Sequence, residues 1–236
     1  MKKLFFLPLL VVLFSSCDVL QQIVDSSMSD QSSVLTSTEI GAGLKQALEI
    51  GITDGANKLS RTDGFFKSPY KILLPPEARK VTEKLQNIPG FSDVENVVLE
   101  KINRGAEDAA KRAAPIFKTA ITRMTFNDAM GILMGNKDSA TRYLHNATYN
   151  ELYAEFNPVI VQSLDKYNAR KYWSDAVSKY NAIPFVDQIN PSLDDYVTQQ
   201  ALKGLFSMVE KKELDIRTNL NARTTDLLRK VFAKQD

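Results

Sequence analysis

The sequence predicts an all-α fold: a single multi-helix, bundle-like domain with kinked long helices, preceded by a lipoprotein signal and a flexible tether. Three observations predict it. Apolar residues recur at three- and four-residue intervals through most of the chain. Proline- and glycine-bearing turns punctuate those stretches. No run keeps the strict alternation of a half-buried strand, and no repeat period emerges.

The chain opens with Met1, Lys2 and Lys3, then an uncharged apolar run over residues 4–14, then Ser15, Ser16 and Cys17. A basic start, an apolar core and small residues before a cut are the pattern of a bacterial export signal. A bilayer span needs about 20 apolar residues, so this shorter run, interrupted by Pro8, reads as a leader over residues 1–16. The small residues before Cys17 resemble the lipobox of bacterial lipoproteins, in which the thiol is acylated and the cysteine becomes the new N-terminus. Phe14 departs from the usual aliphatic residue three places before that cysteine. The expected lipidation site is therefore Cys17 and the expected partner a lipid bilayer, held by acyl chains such as palmitate. The expected location is the cell envelope, on the periplasmic face of the inner or outer membrane or on the cell surface. Cys17 is the only cysteine, so its acylation leaves no thiol for a disulfide, a nucleophile or a metal.

Removing Lys2 and Lys3 takes 30 basic residues to 28, against 28 acidic ones. A formally neutral, interspersed surface argues against nucleic acid, whose binding proteins cluster basic charge. Residues 17–38 are rich in Ser, Gln and Asp and read as a tether behind the acylated cysteine. The domain proper is expected over 39–236.

Its first helix starts at Thr38 and Glu39, carries Ile40, Leu44, Leu48 and Ile52, and ends in the turn Asp63, Gly64, Phe65. Residues 71–74 read as a short extended piece, and Pro75 and Pro76 suit the first turn of a second helix that Pro89 and Gly90 stop. A stripe from Val94 to Met124 predicts a long helix with a kink or break before Pro115. Thr125 and Asp128 resemble a capping box for a short helix closed by Gly135. Further helices are expected over 138–146, 148–167 with a kink at Pro158, and 168–180, followed by a loop over 183–190. A long helix follows Pro191 and Ser192, and a last one starts at Thr224 or Thr225.

The chain has one histidine, His145, which excludes multi-histidine metal sites and reads as a surface or boundary residue. Asn103 and Glu107 share a helix face beside Arg104, and Gly105, Ala106, Ala109 and Ala110 let another helix approach. That polar cluster is read first as an interhelical hydrogen-bond network. Residues 135–141 carry oxygen ligands but lack the acidic spacing of a calcium loop, so a helix cap from Asp138 is the simpler reading. The run Glu210, Lys211, Lys212, Glu213 reads as a solvated face, and Asp194 with Asp195 as helix-end charge. No cofactor, metal or catalytic residue is assigned.

Taken in order, several segments carry a family resemblance: Leu44, Lys45, Ala47, Leu48; Asp63, Gly64, Phe65; Leu74, Pro75; Asn103, Arg104, Ala106, Glu107; Pro115, Ile116, Phe117. They continue with Met124, Thr125, Asp128, Ala129; Gly135, Ala140, Thr141, Tyr143; Tyr196, Val197, Thr198, Ala201, Leu202, Gly204, Leu205, Phe206; and residues 223–228. Together they resemble the bacterial family called domain of unknown function 4197. The resemblance implies an exported, mostly helical domain, often a lipoprotein, with no established activity. Ser68, Gly105, Lys211 and Lys212 depart from the common pattern of the family.

The leading expectation is a membrane-anchored envelope lipoprotein acting as a non-catalytic binding or structural module, with a protein partner or small ligand left open. The alternative is a ligand-binding protein or enzyme in which Asn103, Arg104, Glu107, Asp128 and Tyr143 converge in a polar interhelical pocket.

Overall fold

The computed structural model describes residues 35–190 and 192–236. The leader, Cys17 and most of the expected tether lie outside the described residues. The chain divides into two units, Met1–Thr36 and Ser37–Asp236. Among the described residues the second unit is all helix and loop, without strands: α1 (Ser37–Leu59), α2 (Pro76–Leu85), α3 (Val94–Ala110), α4 (Ala113–Arg123), α5 (Ala129–Leu133), α6 (Ser139–Lys166), α7 (Ala169–Asn181), α8 (Asp194–Thr218) and α9 (Asp226–Phe232).

Helix α8 is the central post, packed against α1, α6 and α3, while α1 also supports α4, α5 and α9. Its apolar stripe of Val197, Ala201, Leu202, Leu205 and Val209 is buried against Leu44, Leu48, Ile52 and Leu59 of α1 and neighbouring core residues. Each fully buried Leu, Ile or Val contributes about 1.5–3 kcal/mol from leaving water, and with no disulfide among the described residues this packing carries the fold. Two of the close approaches made at glycines position neighbouring segments. A Cβ at Gly105 would lie 2.7 Å from Leu164 Cδ2, and one at Gly204 would lie 2.9 Å from the Phe65 ring. The first lets α3 and α6 meet, as the small residues of that stretch predict. The second opens the seat for Phe65, which is fully buried.

The long apolar stripe breaks where expected. Helix α3 ends at Ala110, Lys111 and Arg112 form a turn, and Pro115 falls in the first turn of α4, where its missing N–H costs nothing. The stretch read as two helices over 138–167 is instead the continuous 28-residue α6. Asn146 and Ala147 do not break the chain, and the Thr148 hydroxyl donates to the Leu144 carbonyl across the expected gap. Pro158 sits within α6 with its side exposed, and Ala154, whose carbonyl loses its helical donor, is exposed as well.

Two helix starts differ from the sequence reading. Asp128 alone caps α5, its carboxylate accepting from the Gly131 N–H at 2.7 Å, while Thr125 takes no part in that cap. Asp138 stands at the start of α6 but makes no side-chain cap, pairing with Arg142 at 3.2 Å instead. Thr225 caps α9 as predicted, accepting from the Leu228 N–H at 3.2 Å.

Candidate functional site

Asn103, Arg104 and Glu107 lie on the buried side of α3, turned toward the segment that follows α1. The Asn103 amide behaves as a strand partner would: Oδ1 accepts from the Ile72 N–H at 2.8 Å, and Nδ2 donates to the Ile72 carbonyl at 2.9 Å and to Leu99 at 2.7 Å. One turn on, Glu107 Oε1 accepts from the N–H groups of Phe65 and Phe66 at 3.1 and 3.0 Å. Its other oxygen takes Arg104 Nη1 at 2.8 Å, and Arg104 Nη2 reaches Asp63 at 2.8 Å. The guanidinium also lies over the Phe66 ring, 5.0 Å from its centre. Asp63 adopts φ of 66°, a left-handed turn that a short polar side chain tolerates. The Arg104 hydrogen bond, opposed by partial burial, holds the Asp63 carboxyl below its ordinary value, and Glu107 chiefly raises that of Arg104.

Asn103 and Glu107 are therefore spent on binding backbone, and Arg104 on pairing Glu107 with Asp63. They pin residues 63–72 to α3 and leave little capacity for a ligand. The interhelical network expected of them is a helix-to-loop clamp instead. Asp128 and Tyr143 sit elsewhere. The Tyr143 hydroxyl donates to the Thr125 carbonyl and its ring packs on Phe126 at 5.1 Å, while Phe126 lies beside Gly41 in the first turns of α1. Asp63 follows the far end of α1, a helix of 23 residues and hence about 34 Å long. The geometry brings Asn103, Arg104 and Glu107 together and keeps Asp128 and Tyr143 at the opposite end of that helix.

A second set of buried charges includes Glu213, read as part of a solvated face, with Arg217 and Arg223. Glu213 is fully buried on α8. Its Oε1 accepts from the Ala140 N–H at 2.9 Å and Arg217 Nε at 2.8 Å, and Oε2 from the Thr141 N–H at 2.7 Å and Thr141 hydroxyl at 2.6 Å. All its lone-pair directions are filled, and it supplies the α6 cap that Asp138 does not. Arg217, one turn later, donates to the carbonyls of Ile132 and Leu133 and so closes α5. Arg223 in turn donates to Ile216 and Arg217 at the end of α8 and pairs with Asp236 at 2.8 Å. One signal was available: position 213 continues the apolar register 202, 205, 209 and 216, so a carboxylate there has to be buried and paired.

The residues of these clusters do not line the principal grooves. The largest of those grooves, about 580 Å³, runs between α6 and α8 and falls within the size range of small-ligand sites. Its floor is Phe206, with His145 and Tyr149 on one wall. The rings contact one another: His145 to Tyr149 at 4.7 Å, His145 to Phe206 at 4.9 Å and Tyr149 to Phe206 at 6.4 Å between centres. The other wall is Gln199, Gln200, Lys203, Ser207 and Glu210 of α8. Of these only Gln199 has a protein partner, Asp195; the other four make no hydrogen bond or ion pair with the described residues. At the groove's end Tyr153 donates to Asp195 at 2.6 Å, which together with burial pushes its hydroxyl up to about 12. His145, read as a surface or boundary residue, is exposed and forms part of this aromatic wall.

Among the described residues no group of His, Cys, Asp and Glu is arranged to hold a metal, and no helix is long and apolar enough to cross a membrane. No curated protein and no solved structure matches the chain. The family model described as protein of unknown function (DUF4197) matches residues 34–233, a span that takes in all of α1 to α9. The chain belongs to the DUF4197 family, the one its ordered motifs resemble.

Proposed function

We propose that this protein is a non-catalytic binding or structural module held at a membrane surface of the cell envelope by acylated Cys17. The observation that carries the module reading is how the charged interior is used. Glu107, Glu213, Arg217 and Arg223 each fix backbone of another segment, and Arg104 ties Glu107 to Asp63, which is the work of a scaffold. The leader and the small residues before Cys17 support the anchor. With the Asn103 clamp committed to backbone, a ligand would be taken by the groove between α6 and α8.

Metabolic labelling with a palmitate analogue, followed by membrane fractionation, tests the anchor. Wild-type protein takes the label and stays with membranes through a salt wash, and Cys17→Ser loses both properties. A Cys17→Ser protein still firmly membrane-bound would overturn the anchor.

A further inference from the structure

The groove between α6 and α8 gathers polar side chains without protein partners in a sequence along α8: Gln200, Lys203, Ser207, Glu210. Lys203 and Glu210 bring one charge of each sign to the same groove. They are seven residues, two helical turns, apart, a backbone rise of about 10 Å. They do not pair with each other, and no other described group forms an ion pair with either. Between them lies the apolar floor of Phe206, only 7% exposed.

The spacing selects a ligand that carries a carboxylate and an ammonium at opposite ends of a short apolar body. An extended peptide advances roughly 3.3–3.6 Å per residue, so three residues span about the backbone rise between Lys203 and Glu210. We propose that this groove binds a short peptide of about three residues with free termini, carboxylate at Lys203 and ammonium at Glu210. The Gln200 amide stands one turn beyond Lys203 and adds a donor for the carboxylate. The Ser207 hydroxyl serves a peptide group midway, and a central apolar side chain covers Phe206. A sugar fits less well, because it leaves the opposite charges of Lys203 and Glu210 uncompensated and the buried Phe206 offers it little ring face. The inference rests on the binding-module reading, but it is independent of the anchor: Cys17 labelling and peptide binding can fail separately.

The test is an amide NMR titration of the full chain with the tripeptide Ala-Leu-Ala, unblocked, N-acetylated, C-amidated and doubly capped, with maltotriose as the glycan probe. The unblocked tripeptide is expected to bind with a dissociation constant on the order of 0.1 mM, shifting the amides of residues 200–210. Each cap weakens binding by about threefold to fivefold, as befits a rim ion pair. Lys203→Met removes the penalty of C-amidation and keeps that of N-acetylation, and Glu210→Gln does the reverse. Both positions are exposed, so the variants keep the fold, and the crossed pattern separates end-specific recognition from general charge attraction. Equal binding of the doubly capped peptide overturns the proposal. So does maltotriose shifting these amides in place of the peptide, or an absence of shifts at millimolar peptide.

Discussion

The clamp on α3 and the groove between α6 and α8 are made of similar residue types and stand in opposite states. Each places amide, carboxylate and cationic side chains on a helix beside aromatic rings. In the clamp nearly every polar atom already holds a partner, down to the backbone N–H groups of Phe65, Phe66 and Ile72. In the groove Gln200, Lys203, Ser207 and Glu210 hold none among the described residues. Unused hydrogen-bonding capacity beside a cavity, rather than the presence of polar residues, is what separates the proposed binding surface from the scaffold. Buried polar groups must be paired to be tolerated, whereas those at a groove can wait for a ligand.

This contrast makes predictions that run from large effects to small. Glu213→Ala is expected to destabilise the fold most, by about 3–5 kcal/mol, because it strands the Arg217 charge and uncaps α6. Chemical denaturation measures it, and a loss no larger than that of a surface substitution would mean Glu213 is not a buried cap. Asn103→Ala should cost about 2–3 kcal/mol by leaving both polar groups of Ile72 unpaired, with hydrogen exchange at the Ile72 and Phe65 amides rising ahead of the rest. A third, milder effect is confined to acid. Arg104 lowers the Asp63 value below the ordinary 3.8. The pair's contribution is therefore present above that value and fades as pH falls through the lower folded-state value. Melting curves from about pH 5 to about pH 3 should show a steeper acid loss for wild type than for Asp63→Asn. At the far end, Lys203→Met and Glu210→Gln should leave stability within about 0.5 kcal/mol of wild type. A large drop in either would move the groove into the scaffold class and erase the contrast.

Helical class, the break ahead of Pro115 and the cap at Thr225 were legible in sequence because each depends on neighbours within a turn or two. The clamp was legible only in part. Asn103, Arg104 and Glu107 stand out as polar residues in a small, apolar stretch, but their partners lie 31 to 42 positions away, and local spacing carries no information about such distances. Glu213 was hidden by Glu210, Lys211 and Lys212, which make the segment look solvated although its register turns one residue inward. The groove was hidden for a different reason. It belongs to two helices separated in sequence, and only packing His145 and Tyr149 against Phe206 creates it. Likewise, Asn146 and Ala147 suggest a boundary, but a helix continues wherever its buried face is continuous, as Leu144, Thr148 and Leu152 make it.

The cap that Glu213 places on α6 also has a consequence in time. The carboxylate that satisfies Ala140 and Thr141 is made 72 to 73 residues after them. A chain emerging from the ribosome carries α6 with its first turn open until α8 has been synthesised and has docked. The start of α6 is thus completed only by a segment made long after it, so the first turn of this helix closes late.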